Sequence, residues 1–531
     1  MLLCPPYQGI SPNHPMKHPL IVLSNLLALT FTASAEIKLP AIIGDHMVLQ
    51  QKQADPIWGW DTPGTAVTVT FAGQTKSTTA DPNGKWTVKL DPLPANATPQ
   101  TMTIKGTSER VLQNILIGEV WMCSGQSNMQ FSLSGDWNGD LEGLGANLPA
   151  IRIVSVPQVG TQELKNDFNG AWAACTPENC REFSAVGFYF GRHLQQILGV
   201  PIGLIDNSWG GSAAEAWVRR SSLEQDPRFA QLMQRTVQQE TRLTSEKAVA
   251  DHQAAMAKWK EAAEKAKAEG KPQPRPPMSP DGWLRGNARP GNIFNGVLNP
   301  TLGYGIKGVI WYQGESNAGR AWEYAQLFPY MIQQWRTEWK QGDFPFYWVQ
   351  LADYMAVKPE PGESAWAELR ESQTKTQALP NTGQAVIIDI GEGRDIHPKN
   401  KRDVAARLAR LALAKDYGVK IAFRSPELKS VSFAGNKAVV TLDLFGSELR
   451  PFDVAEAIGF TVCGDDKVWR NATGRITGKD TIEVSSDQVA KPIAVRYAWA
   501  DNPVCNLFSK EGLPVTPFRS DDFEMTTKPK P

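Results

Sequence analysis

Histidine is scarce in this chain, with six in 531 residues. Cysteine is equally rare at six, and net charge is absent, with 55 Lys and Arg against 55 Asp and Glu. Each shortage excludes something. A balanced charge gives no global electrostatic case for a nucleic-acid partner or an anionic membrane. No Cys/His spacing reads as a zinc site. Beyond one segment near the N-terminus, no stretch is long and apolar enough to span a bilayer. What is present is the composition of a soluble globular protein, 41% apolar and 21% charged. The length predicts roughly two to four domains. The eighteen Trp are read first as core packing and second as sugar-stacking surface.

The N-terminus reads as an address. From Met16, Lys17 and His18 precede an apolar segment at 20–32, then Ala33-Ser34-Ala35. That is the order of a cleaved export signal. Residues 1–35 are therefore expected to be a signal peptide, with Met16 an alternative start and a mature chain from Glu36. The expected location is periplasmic or extracellular. Five cysteines follow. Cys175 and Cys180 are expected to close a small loop, Cys463 and Cys505 to form a second pair, and Cys123 to sit as a small buried hydrophobe beside the site.

Residues 36–113 read as an all-β, sandwich-like domain. Residues 67–71 and 86–90 alternate in polarity and are separated by Asp81-Pro82-Asn83-Gly84, a turn sequence. From 114 to 420 the rhythm is strand, loop, helix. Strands are expected at 202–205, 309–312, 346–351 and 385–390, the last being the clearest buried run. Helices are expected at 184–198, closed by Gly199, and near 321–340, 365–379 and 401–415. This alternation implies a mostly parallel sheet wrapped by helices. Residues 221–270, rich in Gln, Glu, Lys and Ala, read as an inserted helical hairpin with a solvated face. Residues 421–531 return to a β-rich pattern.

The chemistry collects at strand ends, where ligands bind in open α/β sheets. An apolar run at 115–120 leads into Trp121-Met122-Cys123-Ser124-Gly125-Gln126-Ser127-Asn128-Met129, and Ser127 is the candidate nucleophile. Only His397 among the histidines follows a buried strand in a Gly-rich loop, and Asp395 lies two residues before it. An imidazole to take the hydroxyl proton and a carboxylate to orient it are what a serine hydrolase needs. Gly210-Gly211, after the strand at 202–205, lets backbone N–H groups approach an oxyanion, and Asn317 or Gln313 adds a side-chain amide.

Together, Gly-Gln-Ser-Asn-Met at 125–129, Trp-Gly-Gly-Ser at 209–212, Ala-Glu-Ala-Trp at 214–217, Trp-Tyr-Gln-Gly-Glu-Ser-Asn at 311–317 and Asp-Ile-His-Pro at 395–398 resemble the sialate O-acetylesterase family of SGNH (GDSL-like) hydrolases. Phe508, Gly512-Leu513-Pro514 and Pro517-Phe518-Arg519 match that family's C-terminal signature. The resemblance implies a flavodoxin-like three-layer α/β/α hydrolase domain with a helical insertion, flanked by N- and C-terminal β modules. It implies removal of O-acetyl groups from glycans with no metal and no cofactor, sialic acids first, with acetylxylan or another glycan as the alternative. A non-catalytic carbohydrate-binding protein is the reading from a different class. Carried over, Ser127 is the nucleophile, His397 the base and Asp395 its partner. Gly211 and Asn317 are the oxyanion donors, with Gly210 beside them and Gln126 and Gln313 lining the pocket. The spacing here is Asp-x-His where many relatives have Asp-x-x-His, which leaves a Ser–His dyad open.

Overall fold

The computed structural model describes residues 36–530. The segment read as an export signal, including Met16, lies outside them. Among the described residues no helix is long and apolar enough to cross a membrane.

The strand Glu109–Gly125 organises the chain. Its apolar run is buried without a break from Ile115 to Gly125, because both of its faces are covered. The first part pairs antiparallel with Asn96–Lys105 and parallel with Val48–Gln50. The last part pairs parallel with Ile202–Asp206 on one side and Gly308–Tyr312 on the other. One strand thus serves both the N-terminal β region and the central sheet, and the 113/114 border falls inside it.

The central sheet runs in the order Thr382–Ala385, Phe346–Val349, Gly308–Tyr312, Glu109–Gly125, Ile202–Asp206, Leu148–Ser155, Ala173–Cys175. All neighbours are parallel except the last pair. Counted along the chain, the six parallel strands lie as 2-3-1-4-5-6. The first and third have changed places relative to the flavodoxin order of 2-1-3-4-5. Successive side chains on a strand point to opposite faces. Val120, Met122, Val309 and Trp311 accordingly pack with Tyr324, Phe328 and Trp335 of the helix Ala321–Trp339. Trp121, Cys123, Ile310 and Tyr312 pack with Phe188 and Tyr189 of Ala185–Leu198 and with Leu408 of Lys401–Lys415. Helices therefore cover both faces. The helix Ala185–Leu198 starts where Ser184 Oγ accepts from the Gly187 N–H and stops at left-handed Gly199.

The run at 385–390 is not the strand the sequence suggested. The ladder is Thr382–Ala385, and it ends because its partner strand ends at Val349, opposite Ala385. The apolar residues beyond it divide between two cores. Ile387 packs under the helix Lys401–Lys415, while Val386 and Ile388 belong to the C-terminal core. Arg407 takes up the Val386 carbonyl at 2.7 Å.

The insertion is helical as expected, comprising Arg220–Gln225, Ala230–Leu243 and Glu246–Ala268. The last of these buries only Ala263, as a solvated helix should. The C-terminal region forms a seven-stranded sheet from Glu427–Ala434 to Phe518–Arg519, with antiparallel neighbours throughout. Tryptophans mostly fill cores. Trp86, Trp121, Trp217, Trp311, Trp335 and Trp348 are fully buried, while Trp137 is 64% exposed.

Cys175 and Cys180 are bonded, and Cys123 is free and buried. The expected bond between Cys463 and Cys505 is absent; both are free. Cys505 packs against Gly459, four residues before Cys463 on the strand Ala457–Cys463. Four residues of strand span about 13 Å, and a disulfide needs Cα atoms within about 7 Å.

Candidate active site

Three strand ends meet side by side. The strand register sets Tyr312 opposite Gly125 and Asp206 opposite Cys123. The Gln126 N–H donates to Tyr312 O at 2.9 Å and the Trp209 N–H to Gly125 O at 3.0 Å. The loops 126–130, 207–212 and 313–317 therefore leave the sheet together. Gly125 is required here. Its φ is +133°, and a Cβ would stand 2.3 Å from the Tyr312 carbonyl oxygen. The chain then turns at Gln126 into the short helix Ser127–Gln130, which lifts Ser127 off the sheet edge.

The fourth loop, 391–397, reaches over from beyond the edge strand. His397 Nε2 lies 2.8 Å from Ser127 Oγ, joining residues 270 positions apart. Asp395 Oδ1 accepts the His397 backbone N–H at 2.9 Å and lies 3.4 Å from His397 Nδ1. The carboxylate shapes the loop through a good hydrogen bond, while its contact with the ring is longer than one.

Around this pair lies a cleft of about 540 Å3 lined by Ser127, His397, Gln130, Phe131, Ser132, Ser155, Val156, Pro157, Gln158, Glu182, Asp206 and Ser208. Gly210 packs against the turn that bears Ser127, where a Cβ would come 3.3 Å from Ser127 Cβ. Its N–H is spent on Gln130 Oε1 at 2.8 Å. Gly211 has φ +72°. Among the described residues the backbone N–H groups of Ser127 and Gly211 have no hydrogen-bond acceptor, which leaves both available to an oxyanion. Asn317 is clamped. Its Oδ1 accepts from Ala214 N at 2.9 Å and Gln313 Nε2 at 2.7 Å, and its Nδ2 donates to Glu215 Oε2 at 2.9 Å. One Nδ2 hydrogen remains.

Two sequence expectations change here. Gln313 does not line the cleft. It is fully buried, with Nε2 on Ser212 O and Asn317 Oδ1 and Oε1 on the Tyr324 hydroxyl. Gln126 is nearly as buried, and its Oε1 faces the N–H groups of Gly314 and Ser316 at 3.4 and 3.5 Å. Both glutamines hold the 313–317 loop rather than forming the wall.

Other residues escaped the sequence reading. Asn128 Nδ2 donates to Glu315 Oε1 at 2.6 Å and to Ile396 O at 3.0 Å, and Asn128 Oδ1 accepts from Lys401 Nζ at 2.6 Å. Lys401 is fully buried between the Phe131 and Tyr312 rings. Burial lowers its ammonium to about 7, against the opposing pull of Glu315 and Asp136. Burial likewise raises the Glu315 carboxyl, which the Asn128 hydrogen bond helps to hold down. Asp206 ends the very strand that precedes the Gly210-Gly211 loop, and that position was the available signal. Asn128 lies inside the quoted serine motif. Nothing local pointed to Lys401. Among the described residues no group of three or more His, Cys, Asp or Glu side chains is gathered as for a metal ion.

Residues 282–413 match the family model of a carbohydrate esterase, sialic acid-specific acetylesterase. The sialate O-acetylesterase of Mus musculus is 30% identical, over 94% of this chain and 97% of that protein. The Homo sapiens protein of the same name is 29% identical, over 94% and 95%. The crystal structure of a carbohydrate acetylesterase from Xanthomonas citri superposes with a TM-score of 0.77 at 37% identity, covering 92% of this chain and all of that one.

Proposed function

The chain belongs to the sialate O-acetylesterase family of carbohydrate esterases, and from that footing we propose that it hydrolyses O-acetyl esters on sugars, sialic acids first, through an acetyl-Ser127 intermediate. The observation that carries this reading is the 2.8 Å approach of Ser127 Oγ to His397 Nε2.

In the proposed cycle the Ser127 hydroxyl donates to Nε2 while Nδ1 keeps its hydrogen toward Asp395. Oγ attacks the acetyl carbonyl as His397 takes the proton. The N–H groups of Ser127 and Gly211, with the remaining Nδ2 hydrogen of Asn317, receive the oxyanion. The tetrahedral adduct collapses, the C–O bond to the sugar breaks, and His397 returns its proton to the departing sugar oxygen. Water then attacks the acetyl-serine, again giving a proton to His397. Acetate leaves and Ser127 recovers its hydrogen. Asp395 holds the loop that presents His397 in both halves, through the His397 backbone N–H.

The same proposal treats the fold as the three-layer α/β/α arrangement of SGNH hydrolases, with the strand order given above. It divides the chain into a signal peptide at 1–35, an N-terminal β-sandwich-like domain at 36–113, a hydrolase domain at 114–420 with its insertion at 221–270, and a β-rich region at 421–531. It places the enzyme in the periplasm or outside the cell. Acetylxylan or another glycan is the second reading, supported by the similarity to the Xanthomonas citri carbohydrate acetylesterase.

The test is acetate release from a panel of O-acetylated sialic acids and acetylated xylans. Release from at least one class, absent in Ser127→Ala, is the expected result. No release from any member would overturn the proposal.

A further inference from the structure

Asp206 is a carboxylate in an unusual place. It closes the strand Ile202–Asp206, beside the strand that leads to Ser127, and it lines the same cleft. It is only 8% exposed. One oxygen is occupied, since Oδ1 accepts the Ser208 backbone N–H at 2.9 Å and the Ser208 hydroxyl at 2.6 Å. Among the described residues Oδ2 has no hydrogen-bond donor, and no Lys, Arg or His side chain pairs with the carboxylate. A buried carboxylate without a cation opposes folding. Burial pushes its acid up to about 6, with the two Ser208 hydrogen bonds pulling the other way. A group held ionised at a cost to stability, in a cleft beside a Ser–His pair, marks a functional position.

The turn does not need the charge. Holding Ser208 takes one acceptor oxygen, and an asparagine supplies that equally well. The second oxygen is the surplus. It is an acceptor that receives nothing from the described residues, on a side chain that lines the cleft of Ser127 and His397. Sugars bring hydroxyl donors to that cleft, while a simple aryl acetate brings none.

We propose that Asp206 is a specificity-determining residue whose Oδ2 accepts a hydroxyl hydrogen from the sugar ring bearing the acetyl group. The assignment rests on the esterase reading of the cleft. It makes the enzyme select acetylated polyols over acetates of alcohols without a neighbouring hydroxyl. Asparagine at this position keeps the Ser208 contacts but turns the open acceptor into an N–H donor, so the sugar hydroxyl meets the wrong partner.

The experiment uses the full mature chain and two substrate sets. The first compares kcat/KM for an acetylated methyl glycoside with that for p-nitrophenyl acetate, in wild type and in Asp206→Asn. The sugar-to-aryl ratio should fall about tenfold or more in the variant, the loss expected for one charged hydrogen bond. The second needs no variant. Acetylated methyl glycosides, each lacking one ring hydroxyl, are given to the wild type. One deoxy position should cost about tenfold or more in kcat/KM, and that penalty should shrink in Asp206→Asn. If no deoxy position matters to the wild type, or the ratio is unchanged in the variant, Asp206 is a turn residue and the assignment is wrong. A wild type that cleaves p-nitrophenyl acetate but no sugar acetate would overturn the carbohydrate esterase reading and this assignment with it.

Discussion

The side-chain amide of Asn128 donates to the carbonyl of Ile396 at 3.0 Å, so the residue after the proposed nucleophile holds the residue before the proposed base. The same side chain ties Glu315 and Lys401 together. Three segments, from 128, 315 and 396–401, are thus fixed by one amide whose donors and acceptor are all engaged.

Replacing Asn128 should therefore injure catalysis more than binding. Asn128→Ala is expected to lower kcat by about 10- to 100-fold, as small displacements of a base do, with KM for p-nitrophenyl acetate little changed. Asn128→Asp keeps the acceptor for Lys401 but loses both donors, so it should not restore activity. A variant with unchanged kcat and raised KM would show that Asn128 acts on substrate instead.

Asp395 offers a second test. Its oxygen holds the His397 backbone at 2.9 Å and the ring only at 3.4 Å. Asn supplies the backbone acceptor without the charge. Asp395→Asn should retain kcat to within about tenfold, and Asp395→Ala should lose about 100-fold, the difference being the loop geometry. Equal losses in the two variants would mean that the carboxylate charge, not the loop contact, is what His397 requires.

Asp206 makes stability depend on pH in a definite direction. Its acid lies near 6 in the folded chain and near 3.9 when unfolded. Between those values the folded state binds more protons, so this group's contribution worsens as pH rises from about 4 to about 6 and stays unfavourable above. Asp206→Asn should thus be more stable than wild type at pH 8, by up to about 3 kcal/mol, with the gap closing towards pH 4. Urea melts at the two pH values check this. A variant less stable than wild type at pH 8 would contradict the cost assigned to the buried charge.

Much of this was legible in the sequence because it is local. Strand-end punctuation brought Ser127, Gly211, Asn317 and His397 into view, and each sits in a loop leaving the same sheet edge or reaching over it. The helix stop at Gly199 followed from neighbouring residues alone. What stayed hidden depends on distant pairing. Lys401 is a helical residue like its neighbours until Asn128, 273 positions away, is placed against it. Gln313 reads as a pocket amide until Tyr324 and Ser212 are found to consume it. The run at 385–390 has the composition of a strand, yet Val386 and Ile388 alternate into a different core from Ile387. Hydrophobic alternation reports faces to be buried, not whether a neighbouring strand is there to pair.

The account turns on one hydroxyl. Ser127→Ala, purified and compared with wild type for p-nitrophenyl acetate hydrolysis and thermal unfolding, is the most direct measurement of it. The account predicts a loss of at least about 10^4-fold in kcat with the unfolding temperature preserved. A folded variant that hydrolyses p-nitrophenyl acetate at the wild-type rate would contradict it.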